Sequence, residues 1–224
     1  MTSEIGIVLS GNKDDITSSY EKMQNQRIDL DLRSKQVSLL RKKQTTIEKS
    51  ISLSGPGTFL GKETREIFLE STPLQGWWLD RLDLPNSLPI RVGIANVWTT
   101  GQIVSNIVLR SGSPHNYIRM VEHLIALRMG MGIDNLLIRL DSGDPPLFDQ
   151  GSLDVVNALD SCGKLVTDNF VNYFTVPHTV SIGGSNGEFV SLSPPLDPNN
   201  PQLTIDCAID FKTCIGKQRI VFPV

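Results

Sequence analysis

Between residues 51 and 119, apolar and polar positions alternate in short runs broken by Gly, Pro and Ser, the period-two pattern of strands. "ISLSGPGTFLG" predicts a strand running into a glycine-rich turn, and "KETREIFLES" a half-exposed strand. "LPIRVGIANVW" and "GQIVSNIVLRS" are two further β-rich runs. The spacing changes at Met120. Val121, Leu124, Leu127 and Met131 recur every three or four residues and predict a helix over 120–131 with one buried stripe. Gly130 and Gly132 supply its stop. "IDNLLIRLD" then reads as a core strand and "SGDPPLFDQGS" as a loop. "LDVVNALDSCG" reads as a second helix, with Asp149 or Ser152 as its cap.

The flanks have a different texture. From Asp14 to Ser50 the chain is polar, rich in helix formers and free of Pro and Gly. Ile28, Leu32, Val37, Leu39 and Leu40 make only a ragged apolar stripe, so residues 1–50 predict a polar helical or partly disordered arm. At the other end "NYFTVPHTVSI", "GEFVSLSPP", "QLTIDCAIDF" and "KQRIVFPV" read as four strands with no helix among them. The expected architecture is therefore α/β, in the sense of an α+β two-layer sandwich. Residues 51–166 form a sheet packed on two helices, and residues 167–224 a mostly β, incomplete second domain. A sheet has to bury one face against something, and no cover for the second sheet stands out.

Composition narrows the function classes. A formal charge of −3 offers no electrostatic attraction for nucleic acid, and "RKK" at 41–43 reads as a solvated basic patch. Arg and Lys interrupt every apolar run before it reaches membrane-span length, and "MTSEIGIVLSGNKDD" lacks the layout of a secretion signal. The expected location is the cytoplasm. Cys162, Cys207 and Cys214 form no CxxC pair and are odd in number, as expected of free thiols in a reducing compartment.

The chemistry concentrates at Glu122–His123. Neighbouring side chains on a helix point about 100° apart. A metal on His123 would leave Glu122 to one side, able to reach a bound water without being a ligand. That division suits metal-assisted hydrolysis, in which imidazole holds the ion and a carboxylate takes a proton from water. The plainer alternative is that Glu122 complements the helix dipole while His123 packs or faces solvent. His115 and His178 read as loop or surface histidines, and neither makes a chelating pair with His123.

"VEHLIALRMGMGIDNLLIRL", followed by "PPLFDQGS" and a short helix, resembles the first half of the UDP-3-O-acyl-N-acetylglucosamine deacetylase family, zinc hydrolases of lipid A synthesis. "SGPGTFLGK" at 54–62 resembles the family's early glycine turn, and "IDCAIDFKTCIGKQRIVF" at 205–222 the strand pair opening its second domain. The resemblance implies two similar α/β domains with the active site between them. It implies Glu122 as general base, His123 as one zinc ligand, and an acylated UDP-N-acetylglucosamine as substrate.

The departures from the family pattern shape the expectation as much. The family's other two zinc ligands lie in a late His-x-x-x-Asp motif, whereas here His115 is followed by Arg119 and His178 by Ile182. The late histidine serving as general acid has no counterpart. Phe59 stands where the family usually carries a histidine, Gln150 intervenes between Asp149 and Gly151, and Met120 replaces a common Thr. The resemblance thus implies a chain holding part of a zinc site, completed from elsewhere, with a partner chain as one source. A catalytically inactive binding or interaction protein is the alternative.

Overall fold

Alternation of buried and exposed residues along one central strand organises the larger of two compact units. The computed structural model describes residues 5–33, 42–58, 63–101, 107–199 and 201–224. One unit comprises residues 43–171, the other residues 1–42 together with 172–224. In chain order come β1 (Ile7–Ser10), α1 (Lys13–Asn25), β2 (Leu30–Asp31), β3 (Lys43–Ile47), β4 (Ile51–Pro56) and β5 (Thr64–Glu70). Then follow β6 (Trp77–Arg81), β7 (Ile90–Arg91), a 3-10 turn (Ile94–Asn96), β8 (Val97–Thr99), β9 (Ile107–Arg110) and β10 (Tyr117–Arg119). The remainder is α2 (Glu122–Gly130), β11 (Leu136–Leu140), α3 (Leu153–Ser161), β12 (Lys164–Phe170), β13 (Val180–Gly183), β14 (Phe189–Leu192), β15 (Thr204–Asp210) and β16 (Lys217–Pro223).

In the 43–171 unit, β11 lies at the centre of a five-stranded sheet ordered β4-β5-β11-β6-β7. Leu136, Ile138 and Leu140 point into the core with Ile67, Leu69, Trp77 and Leu79 of the neighbouring strands. Their alternates face outward, where Arg139 lies 3.5 Å from Glu70 and 3.7 Å from Asp80 across the adjacent strands. Leu124 and Leu127 of α2 and Val155 and Leu159 of α3 close the core against the sheet. The expected sheet on two helices is what forms, because period two and period 3.6 each leave one apolar face. β8, β9 and β10 make a separate antiparallel sheet within this unit.

The boundaries differ from the sequence expectation. β3, assigned to the arm, pairs antiparallel with β12, and "IDN" explains why. The Asp134 carboxylate accepts the Thr45 backbone N–H at 2.9 Å. Asn135 accepts from the Gly76 N–H at 2.7 Å and donates to Gln44 at 3.0 Å. Buried polar groups demand partners, and β3 supplies them. Lys43, read as part of a solvated basic patch, is exposed and lies 3.3 Å from exposed Asp168; Arg41 lies outside the described residues.

In the other unit, residues of the expected polar arm pair with the late strands. β1 runs parallel to β13 and β2 parallel to β16, so the sheets are β1-β13-β14 and β15-β16-β2. The four strand segments predicted after residue 167 are present, the first confined to β13. The expected sheet without helices also acquires one. Ile16 of α1 is fully buried, beside Gly183 of β13, and Tyr20 meets Phe189 of β14 at a 6.0 Å ring separation. A polar helix suffices here because one well-placed isoleucine and one ring fill the contact. Asn12 caps α1 by accepting from Asp14 N–H at 2.8 Å and Asp15 N–H at 3.2 Å. Val37, Leu39 and Leu40 of the proposed apolar stripe lie outside the described residues.

No described helix is long and apolar enough to cross a membrane.

Candidate functional site

The site grows from the start of α2. Val121, Leu124 and Leu127 are drawn into the core, and the helical period then turns Glu122 to solvent and leaves His123 half-buried on the flank. Met120 sits just outside the helix with φ 52, a left-handed conformation that costs an ordinary residue about 1–2 kcal/mol. Helix α2 consequently begins two residues later than the apolar spacing suggests. At its far end Gly132, with φ 60, turns the chain, and Ile133 N–H reaches back to the Arg128 carbonyl at 3.2 Å.

His123 carries the informative chemistry. Its Nε2 is buried and has no hydrogen-bond partner. Burial pushes the imidazole below its ordinary pKa, opposed by the Glu122 charge and by a hydrogen bond with the Pro146 backbone carbonyl.

The Pro-rich loop after β11 is held against the end of β4. Leu147 N–H donates to the Pro56 carbonyl at 2.9 Å, Thr58 N–H to the Pro145 carbonyl at 3.3 Å, and Thr58 Oγ1 to the same carbonyl at 2.6 Å. Gly55 permits this approach: a Cβ there would lie 2.7 Å from the Phe148 ring. Ser152, expected as a cap for α3, makes no capping bond. Its hydroxyl donates instead to the His123 carbonyl at 3.4 Å, linking the starts of the two helices. Asp149 and Gln150 are exposed in the turn before α3. Phe59 lies outside the described residues.

Close by, a cavity of about 420 Å³ is lined by Arg65, Arg81, His115, Arg119 and Asp144, among others. Arg81 spends its guanidinium on both Asp83 oxygens, at 2.6 Å each, and on the Tyr117 carbonyl at 2.6 Å. That hydrogen bonding from Arg81 holds the Asp83 carboxyl below its usual range, with a smaller contribution from the Arg65 charge. His178 is exposed in the other unit.

Three ligands or more define a working zinc site. Among the described residues, no group of three or more His, Cys, Asp or Glu is placed to hold a metal. Among the described residues His123 brings one imidazole donor to this region, its Nε2. The sequence pattern offers Glu122 and His123 as candidates and Ser152 as a cap, but gives neither the hold of Thr58 on Pro145 nor the Ser152 bond to the His123 carbonyl. The Pro-Pro pair was the available signal, since two successive residues without N–H leave only carbonyls to offer.

Comparison with known proteins follows this geometry. The family profile described as UDP-3-O-acyl N-acetylglycosamine deacetylase matches residues 44–224. Proteins named UDP-3-O-acyl-N-acetylglucosamine deacetylase from Brucella ovis, Brucella canis and Brucella melitensis are each 28% identical over 183 residues. The match covers 81% of this chain and 60% of each relative. The chain therefore spans about three fifths of the length of these curated relatives.

Proposed function

This chain belongs to the UDP-3-O-acyl N-acetylglycosamine deacetylase family, and on that premise we propose that it carries the general base and one zinc ligand of an amide hydrolase. The substrate would be an acylated UDP-N-acetylglucosamine, deacetylated on the way to lipid A. One observation carries the reading: a buried, unpartnered Nε2 on His123, directly beside an exposed carboxylate.

Each group has a task. His123 would offer its buried Nε2 to the metal, with burial favouring the neutral ring. When bound, zinc acidifies water and polarises a carbonyl. Glu122, open to solvent and one residue away, accepts the proton of the attacking water as it adds to the acetamide. The missing ligands and the general acid would come from a second polypeptide segment, supplied within a longer chain or by a partner chain. A cytoplasmic site of action is in keeping with three free cysteines, two of them exposed.

Calorimetric zinc titration tests the incompleteness. A single imidazole ligand predicts no tight binding by the chain alone, and tight binding would refute the claim. Supplying a polypeptide that bears the remaining two fifths of a relative is expected to restore deacetylation. In that restored enzyme Glu122→Ala should lower kcat by about 10²–10⁴, the usual contribution of a general base. An unchanged rate would remove Glu122 from the mechanism. Restoration that never appears, with both parts folded and associated, favours the inactive binding protein instead.

A further inference from the structure

We propose that the outward face of the sheet formed by β8, β9 and β10 is a docking surface for a bilayer carrying anionic lipid. The inference goes beyond the hydrolase reading and stands on different residues. From Leu84 to Val121 the chain holds Arg91, Arg110, Arg119 and His115 but no Asp or Glu, although those two acids number 24 in the whole sequence. A protein of net charge −3 thus places all its carboxylate side chains outside this stretch and leaves only cations within it. Ordinary soluble surfaces interleave both signs.

The fold displays part of that stretch on one side of the small sheet. Leu109 and Ile118 turn into the core and are fully buried, so the alternating positions face outward. There Trp98 and Arg119 flank Val108 across the strands, and Arg110 pairs with Tyr117 in the next row. The Arg110 guanidinium lies 3.8 Å over the Trp98 ring, yet the Trp98 side chain stays 49% exposed. Just ahead of β8, Ile94 in the 3-10 turn is 93% exposed. Arg110 has no ion-pair partner among the described residues. Arg119 also lines the 420 Å³ cavity, where Asp144 is the one lining carboxylate, so Arg110 is the cation that an outside surface meets most directly.

Trp and Tyr beside arginines suit the boundary between water and lipid. The rings settle at headgroup depth, the guanidinium is drawn to anionic headgroups, and an exposed isoleucine gains by leaving water. The absence of carboxylates removes the repulsion such a surface would otherwise exert. A nucleic acid would use the rings and the arginines, but it gives Ile94 no apolar medium to enter.

Cosedimentation of the full chain with vesicles is the test. Binding is expected to vesicles of equal parts phosphatidylglycerol and phosphatidylcholine. It should be much weaker to phosphatidylcholine alone and should fall as salt is raised. Arg110→Gln should weaken binding to the mixed vesicles by about fivefold, the contribution of one cation near an anionic surface, while Arg110→Lys should keep it. Ile94→Asp, at a position almost wholly in water, should weaken it at least as much and leave the urea unfolding curve unchanged. If Arg110→Gln does not fold, Ile94→Asp carries the comparison. Absence of binding, or equal binding to both kinds of vesicle, overturns the proposal. So does binding that survives both variants, because it then lies elsewhere on the molecule. Retention of single-stranded RNA without retention of vesicles overturns it in favour of a base-stacking face.

Discussion

Arg219 makes several hydrogen bonds within the unit formed by the two chain ends, and its removal can be worked through. Its side chain is 6% exposed. Nε and one terminal nitrogen donate to the two Asp206 oxygens at 2.9 and 2.7 Å. The other terminal nitrogen donates to the carbonyls of Met23, Gln24 and Gln26, at 2.7, 3.1 and 3.0 Å. Those carbonyls lie at the C-terminal end of α1, about 195 residues away along the chain, and Met23's also accepts the Gln26 N–H at 3.0 Å. One guanidinium thus pairs with a carboxylate of β15 and caps the helix that covers the neighbouring sheet.

Arg219→Ala strips one partner from that pair. Breaking a fully buried pair costs about 3–5 kcal/mol. The Asp206 carboxylate is 30% exposed and can rehydrate, which brings the ion-pair part down to about 2 kcal/mol. The uncapped carbonyls, partly open to water, add about 1 kcal/mol with the lost charge at the helix terminus. The expected loss is about 3 kcal/mol. Urea unfolding followed by far-ultraviolet circular dichroism measures it, and limited proteolysis should show earlier cleavage within residues 13–33. Arg219→Lys, which keeps the charge without the planar fork, should fall between wild type and alanine. A loss below about 0.5 kcal/mol, the range of an ordinary surface substitution, would mean that α1 is not held by this cap.

Two further outcomes follow from burial. Because burial sets the folded-state pKa of His123 below its ordinary value, the unfolded chain binds the proton more readily. Stability should be fully present above the unfolded pKa of about 6.5 and be lost as pH falls from there toward the depressed folded value. His123→Gln should flatten that part of the pH–stability curve; a slope of unchanged size would assign it to another group. Ile16→Ala should destabilise the unit of the two chain ends by about 2–4 kcal/mol, since Ile16 is fully buried against Gly183. Denaturant titration checks it, and a change under about 1 kcal/mol would show that α1 does not seal that sheet.

Local pattern was enough for the centre of the molecule. The alternation Leu136, Ile138, Leu140 announces a buried strand, and Val121, Leu124, Leu127 a helix lying on it, because side-chain direction follows directly from backbone period. The same helix period puts Glu122 outward and His123 beside it, so both candidate residues can be picked out from the chain itself. The family motif also points to them, and its Asp134–Asn135 pair turns out to be a structural clasp on β3 and the turn before β6.

What the pattern could not decide were the relations between residues far apart in sequence. Nothing in the polar run 13–25 says that Ile16 will be buried against Gly183, or that Arg219 will cap the helix end. Nothing around His123 says that burial will leave its Nε2 without a partner. Side-chain periodicity reports only the face a residue presents. Desolvation and hydrogen-bond partnership belong to whatever the folded chain brings opposite that face, and only the tertiary structure supplies it.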